Sequence, residues 1–212
     1  IYHLANALGD DFLVGQDASW LGINYGEFGC FLLFWGIQVA VLLRGIDSIK
    51  VLETYAAPFL IALGLALLVW AYRKADGFGP MLTAKSAFVV GGEKEGMFWS
   101  VFFPQLTGMV GFWATLSLNI PDFTRYAKSQ KDQALGQAIG LPLFMTLFAF
   151  IGIAVTSATV VIYGEAIPDP TKLAGRMGGG LGVVVALFAL VIATLSTNIA
   201  ANIVSPANAV MN

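Results

Sequence analysis

Ala193, Ser196 and Thr197 stand at i, i+3 and i+4, the spacing that places side chains on one face of a helix. Two hydroxyls and an exposed carbonyl such as that of Ala193 are the oxygen ligands a small hard cation prefers. The same hydroxyls can instead bond back to the preceding turn or across to a neighbouring helix, which is the commoner behaviour of Ser and Thr in membranes. Spacing alone leaves both readings open.

Asn198 and Asn202 follow at once, one turn apart. Burying two amides in hydrocarbon without partners costs several kcal/mol, so both need something polar to face. At about 100° per residue they lie almost opposite the Ser196 and Thr197 face. Either protein surrounds this helix on both sides, or one of the two sets is structural. A third candidate is Trp113, which follows Gly108 and Gly111 and precedes Thr115. An indole beside loosened backbone suits a flat heterocycle, offering a stacking face and amide groups for hydrogen bonds. A Trp near a membrane boundary also serves as an interfacial anchor, and residue types do not separate the two roles.

Catalysis finds little support. His3 is the only histidine, so self-contained haem, zinc or His-assisted nucleophile sites are excluded. Cys30 sits among Phe28, Phe31 and Leu32 and reads as a small apolar packing residue. No carboxylate is expected inside a membrane span, which leaves a proton relay without its usual carriers. An enzyme is not expected, and no cofactor beyond a coupling ion, sodium or proton.

The elements that must hold these residues follow from composition. Hydrophobic residues make up 58% of the 212 and charged residues only 11%, against about a quarter charged in soluble domains. Residues 133–164 and 177–212 carry no charge, and each stretch exceeds the ~20 apolar residues needed to cross a bilayer. The chain is therefore expected to be an all-α, polytopic membrane protein, a single membrane domain over 1–212. Five full spans are expected near 28–43, 55–72, 97–120, 138–163 and 181–204. Residues 46–54 read as an amphipathic stretch along the interface. The third span holds Pro104, Gly108 and Gly111 and ends at Pro121, which points to a broken helix; such breaks are tolerated only where freed backbone groups face protein or a water-filled cavity. A net charge of −2 without a basic run gives no footprint for nucleic acid. The short connections 44–54 and 122–133 hold five Lys and Arg, a density that places them in the cytoplasm, with the acidic loop 9–27 outside. Because the chain opens on Ile1 and stops at Asn212 after an apolar segment, a fragment of a longer protein is expected.

The run FWATLSLNIPDFTRYA at 112–127, followed by ATLSTNIAAN at 193–202, resembles the nucleobase:cation symporter-1 family, whose members include permeases for hydantoins, allantoin, uracil and cytosine. The resemblance covers the whole chain, with residues 1–8 matching the end of family helix three and the five spans matching helices four to eight of twelve. It implies part of an inverted repeat of two five-helix units of the leucine-transporter type, with substrate held near the midplane. It further implies that Trp113 stacks on the substrate ring while the Phe112 backbone bonds it. Asn202 would bond the heterocycle, and Asn198 would support the site. Ala193, Ser196 and Thr197 match the helix-eight half of the family's sodium site. The run at 34–38 mimics the aromatic and glutamine of family helix three but lies one helix later, so Trp35 and Gln38 are expected to pack. The implied function is secondary active transport of a planar nitrogen heterocycle with a cation, in the plasma membrane and as a monomer when full length. A passive channel lined by the same hydroxyls and amides is the alternative from another class.

Overall fold

The computed structural model describes residues 3–4, 22–83, 86–177 and 180–211, without the side chains of 113, 115–118 and 211. Most of the acidic loop expected over 9–27 lies outside the described residues. Among those described the structure is helical and contains no strand.

Helix α1, Tyr25–Leu43, starts where its sequence provides a reciprocal cap. Asn24 Oδ1 accepts from the Glu27 N–H at 2.7 Å, and Glu27 Oε2 accepts from the Asn24 N–H at 3.0 Å. Gly45, at φ 81°, turns the chain, and α2, Ile46–Lys74, follows directly. The second span therefore begins at Ile46. The stretch expected to lie along the interface is its first two turns, because nothing between Ile46 and Pro58 interrupts helical hydrogen bonding. Asp76 at φ 57° and Gly77 at φ 107° then reverse the chain into the short α3, Phe78–Leu82.

Helix α4, Phe98–Thr124, is continuous, in contrast to the broken span expected there. Pro104 removes one backbone donor, and Gly108 and Gly111 weaken a helix without forcing it open. Departures from α geometry occur elsewhere. Helix α5, Gln130–Ile139, is capped by Ser129, whose Oγ accepts from the Asp132 N–H at 3.1 Å. It passes through a π-helical turn, Gly140–Phe144, into α6, Met145–Tyr163, which ends at Gly164 with φ 79°. Helix α7, Pro170–Arg176, is capped by Asp169, whose carboxyl is held below the usual carboxylate range by the Thr171 hydroxyl first and then by the Thr171 N–H. Helix α8, Leu181–Ile199, widens into a second π-helical turn, Ala200–Val204, before α9, Ser205–Met211.

Among the described residues, four helical segments are long and apolar enough to cross a membrane: Tyr25–Leu43, Ile46–Lys74, Gln130–Tyr163 and Leu181–Val210. Phe98–Thr124, at 27 residues, reaches about 40 Å at 1.5 Å per residue, enough for a crossing by length. Apolar side chains cover the outer faces, with Leu33, Val69, Phe103, Val110, Leu143 and Ile153 all exposed. A surface this apolar belongs in lipid or against further helices.

The chain forms two compact units, one of residues up to Leu67 together with Ile167–Val204, the other of Leu68–Ala166 with residues from Ser205 onward. In the first, Ile49, Leu195, Ile199 and Val204 form a buried cluster flanked by Phe34 and Leu52. It ties α1, α2 and α8 together. In the second unit α3 packs on α6, with Phe78 meeting Tyr72 and Phe150 at centroid distances of 4.9 and 6.4 Å, and on α6 Ala154 and Ala158, one turn apart, are wholly buried. Small buried residues let backbones approach, which is how helices gain attraction where lipid removes the hydrophobic driving force. Ala158→Leu is expected to destabilise the full-length protein by about 1–3 kcal/mol through overpacking, read as a lower thermal unfolding midpoint in detergent; an unchanged midpoint would show that the seam has slack.

Candidate functional site

Helix α8 carries the polar residues singled out in the sequence, and its partners show what each can do. Gln38, on α1, is only 7% exposed. Its Oε1 accepts a hydrogen bond from Asn198 Nδ2, and Asn198 Oδ1 in turn accepts from Asn202 Nδ2 at 2.7 Å. Three amides thus form one directed chain. Asn198 uses both ends of its amide inside the protein, while Asn202, which is exposed, keeps its own Oδ1 and second N–H beyond that bond. A side-chain amide fixed in this way presents an acceptor and a donor side by side, the complement of a ring edge bearing adjacent N–H and C=O groups.

Gln38 was expected to pack, and it is buried; its hydrogen bond to Asn198 was not foreseen. A buried amide has to be hydrogen-bonded, and on a span as apolar as α1 it pairs with the nearest amide of α8. Trp35, by contrast, is exposed. The chain of amides ends inside the π-helical turn Ala200–Val204, whose widened hydrogen bonding is a feature found frequently at functional sites.

The hydroxyl set faces a different neighbour. Ser196 Oγ, in a residue 8% exposed, donates to the Glu53 carboxylate, lying 2.9 Å from Oε1 and 2.8 Å from Oε2. Asn198 therefore looks toward α1 and Ser196 toward α2, so protein lines this helix on both sides. Glu53 is the eighth residue of α2, a helix long and apolar enough to cross the membrane, and lies just ahead of the span expected from residue 55. Ala193 is half-buried and Thr197 exposed. With its proton given to Glu53, the Ser196 oxygen keeps both lone pairs, and a helical carbonyl such as that of Ala193 keeps one beyond its backbone bond. Hydroxyl, carbonyl and carboxylate oxygens together are a donor set suited to a small hard cation. Thr194, adjacent in sequence, bonds back to the Leu190 carbonyl at 2.8 Å, the local behaviour that Ser196 does not follow.

Phe112 and Trp113 belong to the second unit, within α4. Phe112 is 69% exposed and lies in unbroken helix, so no interruption loosens its backbone; the Trp113 side chain lies outside the described residues. A hollow of about 470 Å³ opens in the first unit beside Glu27, Cys30, Phe34, Thr171, Leu190 and Thr194. It includes none of Ser196, Asn198 and Asn202. Cys30 contributes to that wall as one half-buried residue among apolar neighbours.

Comparison with known proteins bears on this geometry. The profile of a family described as permease for cytosine/purines, uracil, thiamine and allantoin matches residues 3–212. The chain is 51% identical over 193 residues to a purine-uracil permease of Arabidopsis thaliana, covering 91% of this chain and 31% of that protein. It is 41% identical over 199 residues to an allantoin permease of Bacillus subtilis (strain 168), covering 94% of this chain and 40% of that protein. A hydantoin permease of Microbacterium maritypicum is 30% identical over 190 residues, with 83% of this chain and 36% of the relative covered. The chain thus spans about a third of the length of the curated relatives it matches. No solved structure matches.

The amide chain makes a specific demand. Gln38→Leu is expected to cost about 1–3 kcal/mol, the penalty of a buried donor left unpaired, whereas Gln38→Leu combined with Asn198→Leu removes the orphaned donor and recovers part of the loss. Thermal unfolding of the two variants of the full-length protein checks this, and equal destabilisation by both would show that Gln38 acts by shape alone.

Proposed function

This chain belongs to the family of permeases for cytosine/purines, uracil, thiamine and allantoin, and from that premise we propose that the whole protein is a symporter importing a nucleobase or a related planar heterocycle, such as uracil, allantoin, cytosine or a hydantoin, together with a sodium ion or proton. It is an integral, multi-pass membrane protein. The observation that carries the reading is the directed amide chain from Gln38 through Asn198 to Asn202. Such a chain has no role in a purely apolar seam. It holds one amide in a fixed sense, and a lactam or imide edge is the chemistry that amide complements.

In this reading Asn202 bonds the ring edge, Asn198 fixes its orientation, and Trp113 stacks on the ring face with the Phe112 backbone beside it. Ala193, Ser196 and Thr197 supply oxygens to the coupling ion. Substrate and ion bind together near the bilayer midplane, within a repeat of the leucine-transporter type. Rocking of one helix group against the other then exposes them alternately to each side. The whole protein works in the cell membrane, and the names of the relatives, purine-uracil, allantoin and hydantoin permeases, bound the substrate class.

Uptake of labelled uracil, allantoin, cytosine and benzyl-hydantoin by cells making the full-length protein tests this, with a sodium gradient, a proton gradient, or neither. Saturable uptake of at least one solute, raised by one of the gradients, is expected. Non-saturable entry that ignores both gradients would replace the symporter by a channel. Trp113→Ala is expected to weaken substrate binding by about 1–3 kcal/mol if the indole stacks on the ring, as measured by the half-saturating solute concentration. Unchanged affinity would remove Trp113 from the site.

A further inference from the structure

Glu53 is a carboxylate that the proposed transport function has not used. It lies on α2, a helix long and apolar enough to cross the membrane, and it is partly buried. No ion pair among the described residues includes it; the pair that does form there, Lys50 with Asp47, is exposed and lies on the preceding turn. Its side-chain partner is the hydroxyl of Ser196. Ser196 is the sixteenth residue of the 30-residue segment Leu181–Val210.

Two features of that contact call for a positive charge. First, both carboxylate oxygens lie within 2.9 Å of Ser196 Oγ, yet a hydroxyl has one proton to give. That proton is shared between the two oxygens, so the carboxylate keeps lone pairs with which to meet a positive charge. Second, a partly buried ionised carboxylate is costly unless a counter-charge accompanies it. Thr197, the next residue on α8, adds a further hydroxyl.

We propose that Glu53 is the anionic wall of the coupling-ion site, contributing a carboxylate oxygen and the site's negative charge while its bond from Ser196 orients that hydroxyl's lone pairs toward the ion. This rests on the reading of Ser196 and Thr197 as ion ligands. The ion is a small alkali cation of the sodium type, since the donors are all hard oxygens. The assignment also gives coupling an electrostatic reason. Empty, the site holds an uncompensated charge and resists being closed off from water; occupied, it is neutral and can be occluded.

The test uses purified full-length protein and reads thermal unfolding against sodium chloride, with choline chloride as the ionic-strength control, alongside solute uptake in proteoliposomes. Wild-type protein is expected to gain stability with sodium. Glu53→Gln is expected to raise the half-saturating sodium concentration roughly tenfold or more, the scale of a lost bond to a charged group, while solute affinity at saturating sodium changes little. Glu53→Asp, which keeps the charge on a shorter arm, is expected to fall between the two and serves as the deciding variant if Glu53→Gln does not fold. Half-saturation unchanged in whichever variant folds overturns the assignment of Glu53 alone. A wild-type protein whose unfolding ignores sodium overturns the ion reading of Ser196 and Thr197, and the role of Glu53 with it.

Discussion

A polar group placed in hydrocarbon has to find a partner within the protein, and that requirement organises the first unit of this chain. Water is absent from the bilayer core, so an unsatisfied amide or carboxylate there costs several kcal/mol. Helix α8 brings Ser196, Asn198 and Asn202 into such surroundings. Its neighbours answer with Gln38 from α1 and Glu53 from α2. Apolar packing around Ile49, Leu195 and Ile199 fills the space between these contacts, but it does not choose their register. Leucine and isoleucine gain nothing from leaving lipid for one another, whereas an amide has one partner in reach. The polar pairs therefore specify how the three helices sit.

Much of this architecture is legible in the sequence because the bilayer constrains composition so strongly. Runs without charge at 133–164 and 177–212 locate spans, and the amides at 198 and 202 announce by spacing that they share a face. What the sequence hides is the other half of each pair. Gln38 and Glu53 lie 160 and 143 residues from their partners, and no local pattern links them. Glu53 is masked further by its company. With Asp47 and Lys50 it completes a polar stripe that reads as a surface helix, and only the unbroken course of α2 shows that the stripe continues into a span.

Breaks in helices are the other feature poorly marked in sequence. Pro104, Gly108 and Gly111 advertise an interruption in α4, yet the helix runs through them, since one missing donor and two missing side chains weaken a helix without ending it. The turn at Ala200–Val204 widens although it contains neither proline nor glycine. Pro206, two residues beyond it, has no N–H to donate and its ring crowds the Asn202 carbonyl, which pushes the preceding turn out of α geometry, while Ile203 and Val204 join the apolar cluster. The turn at Gly140–Phe144, with Gly140 and Pro142, is closer to what composition suggests.

Placement of the two polar sets on one helix has a mechanical consequence. Ser196 and Asn198 are two residues apart, so their side chains leave α8 about 200° from one another, toward α2 and α1. A rotation of α8 about its own axis that withdraws Ser196 from Glu53 must also withdraw Asn198 from Gln38, because both are rigidly attached to the same backbone. Neither contact can be exchanged alone while the helix stays straight. The widened turn that follows is tied to the same helix by the bond from Asn202 to Asn198. A solute at Asn202 and an ion at Ser196, as proposed above, would therefore act on one element. Linkage requires that each changes the affinity of the other by the same factor. The sharing of α8 supplies the physical connection through which that reciprocity operates.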